Sequence, residues 1–150
     1  MKYKYSIVVV IVLVIAFSVI QSRERKEEKK MSDNLMSNNI EFNGTIIDIK
    51  VSGNHDFGII ILQINQANTK EFNPIIDEKH LFPYAIKDSL AEIYTVISYN
   101  LKKGDLVELN SNNKEAIFIN ENGILFTDNI YITTVERDIK FVKENSVMVK

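Results

Sequence analysis

Only His55 and His80 carry side chains that titrate near neutral pH without help from their surroundings, so they bound any acid–base chemistry. His80 follows Asp77 and Glu78, and on a helix Asp77 and His80 would share one face at i, i+3. That pair could begin a metal-dependent or acid–base hydrolase site. The same three residues also suit ordinary helix-end capping and dipole pairing. His55 stands beside Asp56 in a turn cluster, Ser52-Gly53-Asn54-His55-Asp56, where a solvated turn is the plain reading. As a metal pair it lacks the three or four converging ligands that zinc requires.

The remaining chemistry is mostly negative. The chain has no cysteine, which removes disulfides, thiolate nucleophiles, Cys-based zinc sites and a lipid-modified N-terminal Cys. No serine lies in a nucleophile elbow, and no Gly-rich loop is built to cradle phosphate. Carboxylate pairs for glycoside hydrolysis are defined by spatial separation, and the sequence singles out none. Asn43-Gly44-Thr45 matches a glycosylation sequon in a chain so rich in Asn that the match means little. The sequence therefore assigns no catalytic residue, no metal ligand and no cofactor, and it leaves the binding residues open.

The elements that would position such groups begin with a leader. After Lys2 and Lys4 comes Ile7 to Ile20, IVVVIVLVIAFSVI, fourteen residues with no charge and only Ser18 polar. A dozen Ile, Val, Leu and Phe residues contribute roughly −4 to −7 kcal/mol on an insertion scale, with no charge to oppose them. A buried core helix would not be apolar on every face and bracketed by basic residues. The run is expected to enter a membrane. As a helix it rises ~21 Å, short of a ~30 Å hydrocarbon core, and counting from Tyr3 brings it closer to spanning. Ala16-Phe17-Ser18 offers a small-x-small cleavage pattern, so residues 1–20 read as an anchor or a signal segment. Lys/Arg counts on the two sides favour a cytoplasmic domain, whereas a short basic head before a signal-like run favours export. Export, to a periplasmic or extracellular position, is the expectation.

Residues 21–39, QSRERKEEKKMSDNLMSNN, are too polar to bury a face. They read as a solvated stalk, in part a helical extension of the span, with an anionic-lipid contact as the alternative for RERKEEKK. Net charge splits accordingly: residues 1–30 carry +4 and residues 31–150 carry −6. An acidic domain lacks the basic footprint of a nucleic-acid binder, so no nucleic-acid partner is expected.

From Ile40 the period becomes two. Ile47-Asp48-Ile49-Lys50-Val51 alternates, while Phe42, Gly44 and Ile46 keep the opposite parity, which predicts a bulge at Ile46-Ile47 with Gly44 easing the bend. The turn cluster then leads into Gly58–Ile64 as the second arm of a hairpin. Asn73-Pro74 predicts a short helix stopped by Pro83. Strands follow near Glu92–Ile97, Leu106–Leu109, Glu115–Ile119, Ile124–Phe126 and Ile130–Ile132, separated by polar turns. Thr133 with Glu136 fits a capping box for a helix carrying Val135, Ile139 and Val142, with a last strand as the alternative. Residues 40–150 are thus expected to form a mainly β domain, a small antiparallel barrel or sandwich with one or two short helices.

The pattern FxGxIxxIxV from Phe42 to Val51, the apolar second strand, and LKKGDLVEL from Leu101 to Leu109 resemble an OB-fold-type barrel. The layout of one span, a polar stalk and one β domain is similar to that of small envelope proteins of unknown function. The resemblance implies a binding face and loops for oligonucleotides or oligosaccharides. Here, however, Tyr94 and Phe118 neighbour Glu92 and Glu115 rather than Lys or Arg, so nucleic-acid binding does not carry over. The expected role is a membrane-anchored binding or assembly module for an envelope protein or glycan. A hydrolase at His80 and a barrel for a small apolar ligand are the alternatives.

Overall fold

Alternating segments need partners along both edges, and this chain supplies them within one antiparallel sheet. The computed structural model describes residues 2–149, with side chains from Leu13 onward except at positions 24 and 28. The chain divides into two units, Met1–Leu35 and Met36–Lys150.

The described residues of the first unit lie within helix α1 (Lys2–Met36). Its polar second half stays helical because Lys, Glu, Arg and Met are good helix formers and neither Gly nor Pro interrupts them. Asn39 then takes a left-handed conformation, φ 59°, which asparagine tolerates better than most residues. Among the described residues no helix is long and apolar enough to cross a membrane. The expected insertion segment falls partly outside them, since the side chains of Ile7–Val12 are not among those described.

The second unit is built on eight strands: β1 (Glu41–Val51), β2 (Phe57–Ala67), β3 (Glu71–Phe72), β4 (Tyr84–Lys87), β5 (Leu90–Val96), β6 (Leu106–Asn110), β7 (Glu115–Asn120) and β8 (Gly123–Asn129). Their order in the sheet is β3-β4-β5-β2-β1-β6-β7-β8. The bulge expected at Ile46-Ile47 is present: Ile46 pairs with Leu62 and Asp48 with Ile61, leaving Ile47 unmatched. The offset lets Ile46 before it and Ile49 after it face the same side, paired with Leu62 and Ile60. A second register shift lies between Asn43 and Gly44. Gly44 answers to close approach there, because a Cβ would stand 2.6 Å from the Gln63 carbonyl oxygen.

The strands form a single antiparallel sheet, the mainly β fold that the alternation predicts, and no pairing joins β3 to β8 among the described residues. The sheet curls strongly. Thr95 on β5 donates from Oγ1 to Asp128 Oδ2 on β8 at 2.7 Å. Five strand spacings separate those strands in the order above, roughly 24 Å in a flat sheet. On the concave face, Phe42 and Tyr84 bring their ring centroids to 6.1 Å. Ile46, Ile60, Leu62, Ile93, Val107 and Phe118 are at most 1% exposed on that side.

Helix α2 (Glu136–Asn145) covers part of the opposite face, with Ile139 and Val142 packed against Phe57, Ile59, Ile61, Tyr94 and Val149. Its first residue is not fixed by a capping box. Val135 occupies the cap position without a side-chain bond, and Thr133 is instead buried, exchanging backbone hydrogen bonds with Leu81. The helix expected after Asn73-Pro74 is likewise absent. Residues 73–83 form an irregular loop pinned by bridges from Leu81 to Ile75 and Thr133. Helical spacing there was local, whereas the long-range backbone bonds to Leu81 satisfy the same groups without a helix. The strand expected at Ile130–Ile132 is absent: Ile130 and Ile132 are buried, but they lie beyond β8 and outside any strand.

Candidate functional site

The outward parity of three neighbouring strands gathers a polar concavity. Register places Glu41, Asn110 and Glu115 side by side across β1, β6 and β7. The next row on that face carries Gln66, Asn43, Glu108 and Ile117 across β2, β1, β6 and β7. With Asn68 and Asn113 these residues line a groove of about 460 Å³. Its floor is firm because Phe42, Leu109 and Ala116 between them point inward and are buried.

An amide network holds the rim. Asn110 Nδ2 donates to Glu41 Oε1 at 2.6 Å, and its own Oδ1 accepts the Asn113 N–H at 2.9 Å. Asn68 accepts the Glu41 N–H at 3.0 Å and donates to the Asn39 carbonyl at 2.6 Å. Asn39 and Asn112 bond each other through Asn112 Nδ2 and Asn39 Oδ1 at 2.7 Å. By contrast, no hydrogen bond or ion pair engages the carboxylates of Glu108 and Glu115 among the described residues. A site with fixed amides and two free carboxylates presents acceptors to a donor-rich ligand.

The residues singled out in the sequence lie elsewhere. His80 Nδ1 is 2.8 Å from Asp77 Oδ2, so the Asp77–His80 pair forms, but on an exposed loop rather than a helix. The Lys79 N–H and then His80 hold the Asp77 carboxyl below the usual carboxylate range. Glu78 is exposed and does not join the pair. His55 and Asp56 occupy consecutive left-handed positions, φ 48° and 56°, in the β1–β2 turn. His55 borders a second cleft of about 540 Å³ with Tyr131, Val96, Val135 and Arg137. Among the described residues, no three His, Asp or Glu side chains converge to hold a metal ion. Tyr94 and Phe118 are buried, so neither ring is free to stack a base. Asn43 of the sequon sits mid-strand, paired on both sides, with its amide in the groove.

One ionisable cluster has no counterpart in the sequence reading. Glu92, in the middle of β5, is fully buried. Its Oε2 accepts from Tyr94 Oη at 2.8 Å and from Ser146 Oγ at 2.5 Å, and its Oε1 accepts the Val147 N–H at 2.9 Å. Ser146 Oγ in turn accepts the N–H groups of Met148 and Val149. Burial foremost, then the Glu92 charge, push the Tyr94 hydroxyl far above its ordinary value. With every partner internal, this cluster fastens the segment after α2 to the sheet rather than addressing a substrate. A Glu flanked by Ala91 and Ile93 in an apolar strand was the available signal.

Comparison of the chain with protein-family models, with curated proteins and with solved structures finds no match.

Proposed function

We propose that this protein is a membrane-tethered binding module whose curled, barrel-like sheet holds an envelope glycan in the groove between β2 and β7. The observation that carries the reading is the pair of carboxylates, Glu108 and Glu115, which no hydrogen bond or ion pair engages among the described residues, set in a frame of amides. Sugar hydroxyls are donors that such acceptors match, and a groove of about 460 Å³ suits a short oligosaccharide. A protein partner would favour an apolar, aromatic-rich centre; the apolar part of this lining is Phe42, Ala67, Leu109 and Ile117, of which Phe42 and Leu109 are buried. The tether rests on Ile7 to Ile20, whose apolar side chains outweigh any opposing charge, and its basic flanks. Anchoring raises the local concentration of a weak binder at the surface where its ligand lies, on the outer side of the membrane.

Titration of the full-length chain with a panel of soluble oligosaccharides, followed by amide chemical shifts, tests this directly. Shifts should concentrate at Asn43, Glu108, Asn110 and Glu115, and the Glu108→Ala/Glu115→Ala double variant should weaken binding at least about tenfold, as expected for two lost hydrogen bonds to charged acceptors. Shifts confined to the Tyr131 and His55 cleft, or an unchanged affinity in the double variant, would overturn the assignment.

A further inference from the structure

The charges of residues 23–30 look mixed when read along the sequence, but the helix sorts them by sign. At 3.6 residues per turn, Arg25, Lys29, Lys26, Lys30 and Arg23 fall in that order within an arc of about 160°. Positions 24, 27 and 28, all glutamate, fall on the rest of the circumference. Ser18, Gln21, Ser22, Arg25, Lys26 and Lys29 line one shallow strip on this side of α1. All five basic residues are exposed, and Arg25 donates to Gln21 Oε1 at 3.3 Å. Asp33, one turn further, falls within the same arc.

We infer that this basic face of α1 docks on anionic lipid headgroups at the surface into which Ile7 to Ile20 inserts. The inference rests on the membrane reading above and names the lipid chemistry it meets. Two observations select the occupant. The strip has the sign that an acidic headgroup layer attracts, and it begins within the turn where the apolar run ends, so the helix delivers it to the headgroup level without further folding. A helix whose apolar run falls short of the hydrocarbon thickness gains from such a second, electrostatic hold. Tilting α1 toward the surface would bring Arg25, Lys26 and Lys29 into the headgroups while the glutamate side stays in water.

The test is partition of the full chain between buffer and vesicles of phosphatidylcholine alone or with three parts in ten phosphatidylglycerol. Roughly one kcal/mol per basic residue near an anionic surface leads us to expect partition to rise by at least tenfold on adding the anionic lipid, with the gain lost in high salt. The variant Lys26→Glu/Glu27→Lys preserves composition and net charge but places a carboxylate at the centre of the strip. It should lose most of the anionic preference while keeping its partition into neutral vesicles. Equal partition of the natural chain into both vesicles would overturn the headgroup contact and leave the anchor standing. Failure to bind either vesicle would overturn the anchor itself. A variant that keeps the anionic preference but changes the oligomeric state would assign the strip to a second copy of the helix instead.

Discussion

Glu92 shows how much one side chain can hold in place. Its carboxylate receives two hydroxyls and a backbone N–H in a site closed to water, so removing it strands three donors at once. Glu92→Ala is expected to cost about 3–5 kcal/mol in urea unfolding, and Glu92→Gln about 1–2, because the amide keeps one acceptor. A similar loss for both variants would mean that packing, not hydrogen bonding, dominates the site. Tyr94 gives a second check. Its folded-state value is raised, so its contribution is complete below the unfolded tyrosine range near pH 10 and is lost as pH climbs beyond it. Stability should then fall by about 1.4 kcal/mol per pH unit for this tyrosine, and absorbance at alkaline pH should show its ionisation only on unfolding. Asp77 works in the opposite direction: its value is lowered, so its hold on the exposed loop is present at neutral pH and fades as pH falls below the carboxylate range. At this scale the sequence revealed little. Asp77 and His80 were visible as a pair, but the buried role of Glu92 depends on Ser146, more than fifty positions away.

Strands were more legible than loops. Parity located β1 and β6, an apolar run between turns located β2, a polar turn located β7, and the break between Phe42-Gly44-Ile46 and Ile47-Ile49-Val51 identified the bulge. The same reading failed over residues 73–83, where proline and acidic residues imitate a helix start while Leu81 exchanges its backbone bonds with the distant Thr133. It failed again at Thr133, whose spacing from Glu136 fits a capping box but whose hydroxyl-bearing residue is committed to the bridge with Leu81. Local patterns see neither partner. Gly58 marks a place where close approach decides the residue type: an added Cβ would lie 2.3 Å from the Lys50 carbonyl oxygen and 2.7 Å from Ile97 Cγ1. Gly58→Ala should therefore destabilise the β1–β2 hairpin by about 1–3 kcal/mol in denaturant titration, and a neutral outcome would mean that the strands part more easily than the register implies.

For the whole molecule, curvature was the hidden quantity. Sequence alternation predicts a sheet with an inner face, but whether the sheet closes depends on how its twist accumulates over eight strands. Contact between Thr95 and Asp128 is what curling adds, and Thr95→Val should cost about 1–2 kcal/mol by leaving Asp128 without that donor. The groove arose in the same way, since outward positions on β1, β6 and β7 could be read one strand at a time but not aligned across them. The two parts of the chain divide the proposed work: an acidic β unit recognises, and a helical unit with an apolar run and a basic strip localises. Flotation of the intact full-length chain with lipid vesicles on a density gradient tests that division most directly. The chain should rise with the vesicles and resist a carbonate wash, whereas a Leu13→Lys/Phe17→Lys variant should stay at the bottom with its sheet intact. An unaltered chain, N-terminus present, that remains in the lipid-free fractions would contradict the account.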